Sequence, residues 1–256
     1  MTKSQAEKAF LELSAQLQHE GLLSDQLPVR AALRGDEGEI FFAELTGAGM
    51  TMRVIDTGEE QEPVFHAFYV KPEATALLLL SGCYAPLVAK DMRALTAELD
   101  DMAQIVGLTA RVADALKPSE IARCLRGRNS CFVKGSGMLI TGRSISEAVA
   151  GAILLEKAAM THLLAQKIGG AKRVPLFSAA LMHVIYQKKY SKINLLEEGK
   201  EAPSAPASGE IAAQTARERE IRARIVSYGK RLQEEGLLQG TWGNLAVRLN
   251  DTHMLC

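Results

Sequence analysis

The chain has no net charge, no cysteine pairing and no obvious membrane-length apolar run, and each absence closes off a class of function. Thirty basic residues balance thirty acidic ones across 256 positions, so no global field draws the protein to nucleic acid or to an anionic membrane. The basic cluster from Arg123 to Arg128 reads as a solvated helix end. The four cysteines, Cys83, Cys124, Cys131 and Cys256, contain no CxxC pair and are too sparse for a disulfide scaffold, which implies reduced thiols and a cytoplasmic setting. No run reads as a membrane span, and Met1-Thr2-Lys3-Ser4 leads into a polar helix rather than a signal peptide. What remains, 47% apolar and 23% charged residues, is an ordinary globular balance with neither nucleic acid nor membrane expected as a partner.

The stretch from Glu62 to Pro86 organises the rest. It reads as a short helix carrying Phe65, His66 and Tyr69, a turn at Lys71-Pro72-Glu73, and a buried central strand from Ala74 to Leu80 that ends on Ser81-Gly82-Cys83. Upstream, Ala6, Phe10, Leu13 and Leu17 share one face of a helix over residues 5–20, stopped by Gly21. Strands follow at 29–33, 40–45 and 50–55. Downstream, the spacing of Met92, Leu95 and Leu99 predicts a helix over 89–101, and residues 108–116 read as helical. Ser119 then caps a short helix to Leu125. Ser130 to Ile140 reads as two strands meeting at Gly135-Ser136-Gly137. Ser144 and Glu147 form a capping box for an apolar helix to about Ile168. His162 on that helix reads as a packed or partly exposed side chain, and a last helix spans 176–190.

Residues 196–211 are Pro-, Ala- and Ser-rich and read as a linker. A charged amphipathic helix then runs from about Ala212 to Gly236. The end of the chain repeats its beginning: Leu17-Gln-His-Glu-Gly-Leu-Leu23 and Leu232-Gln-Glu-Glu-Gly-Leu-Leu238 agree at six of seven positions. Leu27-Pro-Val-Arg30 similarly matches Leu245-Ala-Val-Arg248. The expectation is a duplicated domain, with a first copy over residues 1–195 and a second over 212–256 that stops after one helix and two strands. About 45 residues hold too little core to fold alone, so this tail is expected to belong to a longer chain or to dock elsewhere. Gly240-Thr-Trp-Gly-Asn244 in the second copy joins helix to strand. The backbone amides of Gly240 and Gly243, with the side chains of Thr241 and Asn244, suit a phosphate or carboxylate, although a tight turn around Trp242 is the competing reading.

On these residues the chain resembles the class II aldolase/adducin family. The resemblance rests on the loop at 240–248, the Glu62-Pro-Val-Phe-His66 helix with its following strand, and the strand–GSG–strand–capped helix at 133–168. It implies an α/β fold, a three-layer α/β/α sandwich around a mostly antiparallel sheet. In the family's enzymes three histidines hold a divalent metal, usually zinc, that stabilises an enediolate, and a glutamate assists proton transfer. The resemblance places that glutamate at Glu62 and a non-ligand helix histidine at His66. It places the metal histidines at Ser81, Cys83 and Ser136, a poor donor set for a divalent ion. The anion loop is missing from the first copy, and the acidic segment Gly58-Glu-Glu-Gln61 replaces a Pro-Ser-Ser-type stretch.

The expected function is therefore a non-catalytic scaffold or regulatory module with no metal in the first domain. The alternative is part of a metal-dependent sugar-phosphate aldolase or epimerase whose active domain is the second copy, with zinc or another divalent metal there. Its phosphate would sit on Gly240, Thr241, Gly243 and Asn244. A third possibility is a metal-free site of Cys83, Glu62 and His66, which requires an activated thiol. A homo-oligomer and a sugar-phosphate ligand are the partners the resemblance implies.

Overall fold

The computed structural model describes residues 1–55, 62–186, 216–235, 237 and 244–256. The chain divides into two compact units, Met1–Leu196 and Glu197–Cys256.

The first unit opens with α1 (Lys3–His19), which buries Ala6, Phe10, Leu13 and Leu17. Thr2 accepts the Gln5 amide and the Gln5 side chain accepts the Thr2 amide, a reciprocal cap that satisfies two orphan donors. At the other end Gly21 takes a positive φ of 69°, and the Leu22 amide reaches back to the Leu17 carbonyl at 2.8 Å. Only glycine enters that conformation without a Cβ penalty.

Eight strands form one sheet in the order β3-β2-β1-β4-β8-β7-β6-β5. They are β1 (Val29–Arg34), β2 (Ile40–Thr46), β3 (Gly49–Ile55), β4 (Ala76–Leu80), β5 (Ala94–Thr96), β6 (Thr109–Ala113), β7 (Ser130–Val133) and β8 (Gly137–Gly142). Every adjacent pair is antiparallel except β6 and β7, which are parallel. That exception has a local cause. The connection between β6 and β7 carries a helix, α4 (Pro118–Leu125), and a helical crossover returns the chain in the same direction.

β4 lies at the centre, and all five of its residues are buried. Leu77 and Leu79 enter a cluster with Phe65, Phe68, Ile121 and Leu125. These come from a 3-10 turn (Pro63–Phe65) running into α2 (His66–Val70), and from α4. Leu78 and Leu80 point to the opposite face by strand alternation, and α5 (Ile145–Gln166) packs along β4 and β8. α5 is long and apolar enough to cross a membrane by length and composition, contrary to the sequence reading. Its apolarity is accounted for by burial within the first unit, where nine of its residues are enclosed.

Residues 89–101 are not one helix. α3 (Ala85–Asp91) starts earlier, at Ala85 with Pro86 in its first turn, and β5 follows. A π-helical turn (Met102–Val106) ends at Gly107, whose φ is 113°. Residues 108–116 hold a strand, not a helix: β6 pairs Ala94 with Arg111 and Thr96 with Thr109. Short strands are specified by distant partners, and a helical spacing such as that of Met92, Leu95 and Leu99 arises by accident over so few residues. Nor does Ser119 cap α4. Lys117 occupies the cap position without a side-chain bond, and Pro118 starts the helix. Ser144 does cap α5, accepting the Glu147 amide at 3.1 Å. Glu147, however, reaches the amide and guanidinium of Arg143 instead of the Ser144 amide. The unit's last described helix is α6 (Leu176–Ile185); the rest of the helix expected to residue 190, and the whole linker, lie outside the described residues.

In the second unit α7 (Ala216–Glu234) is followed by an antiparallel pair, β9 (Val247–Arg248) and β10 (Met254–Leu255). Asn250 closes the turn between them by accepting the amides of Thr252 and His253. After α7 the Leu237 amide bonds the Leu232 carbonyl at 2.9 Å, the same five-residue reach as Leu22 to Leu17.

Candidate functional site

The apolar run of β4 ends because Ser81-Gly82-Cys83 cannot continue it. Gly82 turns the chain with a φ of 68°, and α3 begins two residues after Cys83. The register Leu80↔Met138 brings the start of β8 alongside this end. The approach is close: a Cβ built on Gly137 would stand 2.4 Å from the Leu80 carbonyl oxygen and from Cα of Ser81. Ser136, immediately before Gly137, sits in the β7–β8 turn, its amide bonded to the Val133 carbonyl. The fold thus gathers Ser81 and Ser136 at one end of two neighbouring strands, with exposed Cys83 on the next turn.

Glu62 is tied to the same end of the sheet. One carboxylate oxygen accepts from Arg53 at 2.8 Å and the other from Arg30 at 3.3 Å. Arg30 stands opposite Leu79 in the β1–β4 register, so it shares the face on which alternation continues to Ser81. His66, four residues on, lies beside the ring of Tyr69, with centroids 6.0 Å apart. Glu62, His66 and Cys83 share no hydrogen bond.

The residue that holds the strand end together is Glu156 of α5. Its carboxylate accepts the backbone amides of Cys83, Tyr84 and Ala85, the last two at 2.7 and 3.0 Å. These amides would otherwise be orphaned where β4 gives way to α3. A Cβ on Gly82 would fall 2.4 Å from this carboxylate, so a larger residue there would displace the Glu156 side chain as well as strain the backbone. The sequence reading missed Glu156. Its only signal is an acidic residue directly after the apolar stretch Ala152-Ile-Leu-Leu155, and beside Lys157 it reads as part of a solvated helix face.

His162, elsewhere on α5, pairs with Glu98 at 3.0 Å, both side chains being largely buried. Among the described residues no three histidine, cysteine, aspartate or glutamate side chains come together as a metal-holding group. Of the proposed anion loop, Asn244 is described and exposed; Gly240, Thr241 and Gly243 lie outside the described residues, as do residues 58–61.

No protein-family model and no curated sequence matches the chain. Solved structures do. An L-fuculose 1-phosphate aldolase superposes with a TM-score of 0.59 at 15% identity, covering 73% of this chain and 98% of that one. YgbL from Klebsiella pneumoniae, described as a putative aldolase/epimerase/decarboxylase, gives 0.53 at 18%, covering 71% and 99%. The L-fuculose-1-phosphate aldolase of Thermus thermophilus gives 0.50 at 20%, covering 64% and 97%. The likeness, at 15–20% identity, is one of fold: this chain shares the sheet and helix arrangement of these solved structures.

Proposed function

We propose that residues 1–195 are a class II aldolase/adducin-like module that does not catalyse and serves as a scaffold or regulatory surface. The observation that carries this reading is the donor set at the strand end. Ser81 and Ser136 offer neutral hydroxyls and Cys83 a single thiol, which do not fit the three-histidine metal site that the resemblance implies. Two further features support it. Both oxygens of Glu62 are engaged by guanidinium groups, and the amides at the strand end are taken by the protein's own Glu156. In this reading the module is a three-layer α/β/α sandwich in the cytoplasm and forms homo-oligomers. Exposed Leu176, Phe177 and Leu181 on α6 support self-association, Phe177 being 82% exposed.

The test is elemental analysis of the purified protein, with light scattering on the same sample and an aldol-cleavage assay on sugar phosphates with and without added zinc. The expected result is an oligomer with no stoichiometric zinc and no cleavage. One equivalent of zinc, or metal-dependent cleavage, would overturn the proposal.

A second reading is supported by the repeat. The matched helix-end bonds, Leu22 to Leu17 and Leu237 to Leu232, accompany the sequence identity of the two segments. Here the second copy begins an active aldolase or epimerase, with sugar phosphate on Gly240, Thr241, Gly243 and Asn244 and a divalent metal bound by residues after Cys256. The coding sequence beyond that codon decides it: a His-x-His strand end and an Asn-His-Gly turn are expected, and without them this reading fails.

A further inference from the structure

The strands that carry Ser81 and Ser136 at one end carry a different constellation at the other. Five residues of β4 separate the two ends, roughly 17 Å at the rise of a strand. A cavity of about 400 Å³ opens there, between the start of β4, the end of β8, the loop before β7 and α6. That volume is in the range of a small-molecule site.

Its charge is unbalanced. Lys71, Arg128 and Arg143 line it against only two carboxylates, Glu73 and Glu147. Each carboxylate already serves a cation: Glu73 pairs with Lys71 at 2.8 Å, and Glu147 takes Nε and Nη2 of Arg143 at 3.0 and 2.9 Å. Arg128 has no carboxylate partner among the described residues. Its donors go to neutral oxygens, the carbonyl and hydroxyl of Thr109 at 2.8 and 2.7 Å and the Arg126 carbonyl at 2.8 Å. Burial, and secondarily the charge of Arg111, hold the Arg128 pKa below its ordinary value, the sign expected of a cation short of counter-charge. His183 supplies the wall from α6, its ring fixed by an Nδ1 bond to the Gln104 carbonyl at 2.8 Å.

We propose that this cavity binds the oxyanion group of a small metabolite, a phosphate or a carboxylate, with Arg128 as the recognising charge and Lys71 and Arg143 beside it. A guanidinium with neutral partners gains a charge-assisted bond from such a ligand, whereas an already paired one gains less. The site is separate from the Ser81–Ser136 end, so it stands whether or not that end is catalytic.

The experiment is calorimetric titration of the full chain with inorganic phosphate and, separately, with citrate, at low salt. Saturable binding of one of them is expected, and the tighter ligand names the class. Arg128→Gln should weaken it about ten-fold or more, and Lys71→Met about three-fold. Because Arg128 also clips Thr109, its variant is checked by circular dichroism, and Lys71→Met carries the test if Arg128→Gln does not fold. Absence of saturable binding to either anion, or binding left unchanged by every folded variant, overturns the proposal.

Discussion

Gly137→Ala is expected to destabilise the protein by about 4 kcal/mol or more, lowering its melting temperature by roughly 10 °C. Two costs combine. The residue sits at a φ of 95°, where a non-glycine side chain costs about 1–3 kcal/mol in backbone strain. The added Cβ would also stand 2.4 Å from the Leu80 carbonyl oxygen and from Cα and the carbonyl oxygen of Ser81. Those atoms are backbone, from the last residue of β4 and the one after it, so they cannot swing aside as a flexible side chain would. Relief requires β8 to separate from β4 at the end where Ser81 and Ser136 meet. Gly135 in the same turn provides the control. Its φ is also positive, at 72°, but nothing lies within 4 Å of its Cβ position. Gly135→Ala should therefore cost only about 1 kcal/mol, the conformational part alone. Urea denaturation of the two variants reads the difference; equal midpoints would show that the close approach of Gly137 to Ser81 does not constrain the sheet.

Glu156→Ala should cost about 3 kcal/mol. Removing the carboxylate leaves the amides of Cys83, Tyr84 and Ala85 without their acceptor. Hydrogen bonds to a charged acceptor contribute about 1.5–3 kcal/mol each, and a buried donor left unmet costs about as much. The sum is reduced because the Cys83 end is exposed and water can replace the lost acceptor there. Glu156→Gln separates charge from shape. An amide keeps one oxygen but turns an NH2 group towards backbone donors, so it should fall between the wild type and alanine. Hydrogen exchange localises the effect, since protection should drop first at Tyr84 and Ala85. A glutamine variant as stable as wild type would mean that the carboxylate charge does not hold this end of β4.

Both predictions concern residues whose importance is unevenly legible in the chain. Gly135-Ser136-Gly137 announces a turn by composition alone, and it falls between β7 and β8 as expected. That Gly137 is the glycine pressed against Ser81 depends on the pairing of β8 with β4, strands separated by more than fifty residues. Glu156 is visible only as a charge in an apolar helix; its three acceptor bonds require α5 to lie across the start of α3. The same division explains the misread elements. α1, β1, β2, β3 and β4 have strong local periodicity or long apolar runs, and they form where expected. β5 and β6 have neither, and pairing makes them strands, β5 with β6 and β6 also with β7.

The local chemistry of the chain determined the helix face of Ala6, Phe10, Leu13 and Leu17, the buried strand into Ser81-Gly82-Cys83, and the absence of histidine at Ser81, Cys83 and Ser136. Side-chain identity and short-range periodicity are properties of sequence, and no folding alters them. Tertiary structure alone decided that Arg30 and Arg53 converge on Glu62, that Glu156 closes the strand end, and that Lys71, Arg128 and Arg143 surround one cavity at the opposite end. These groups come from separate elements, and their distances are set by strand register and helix packing.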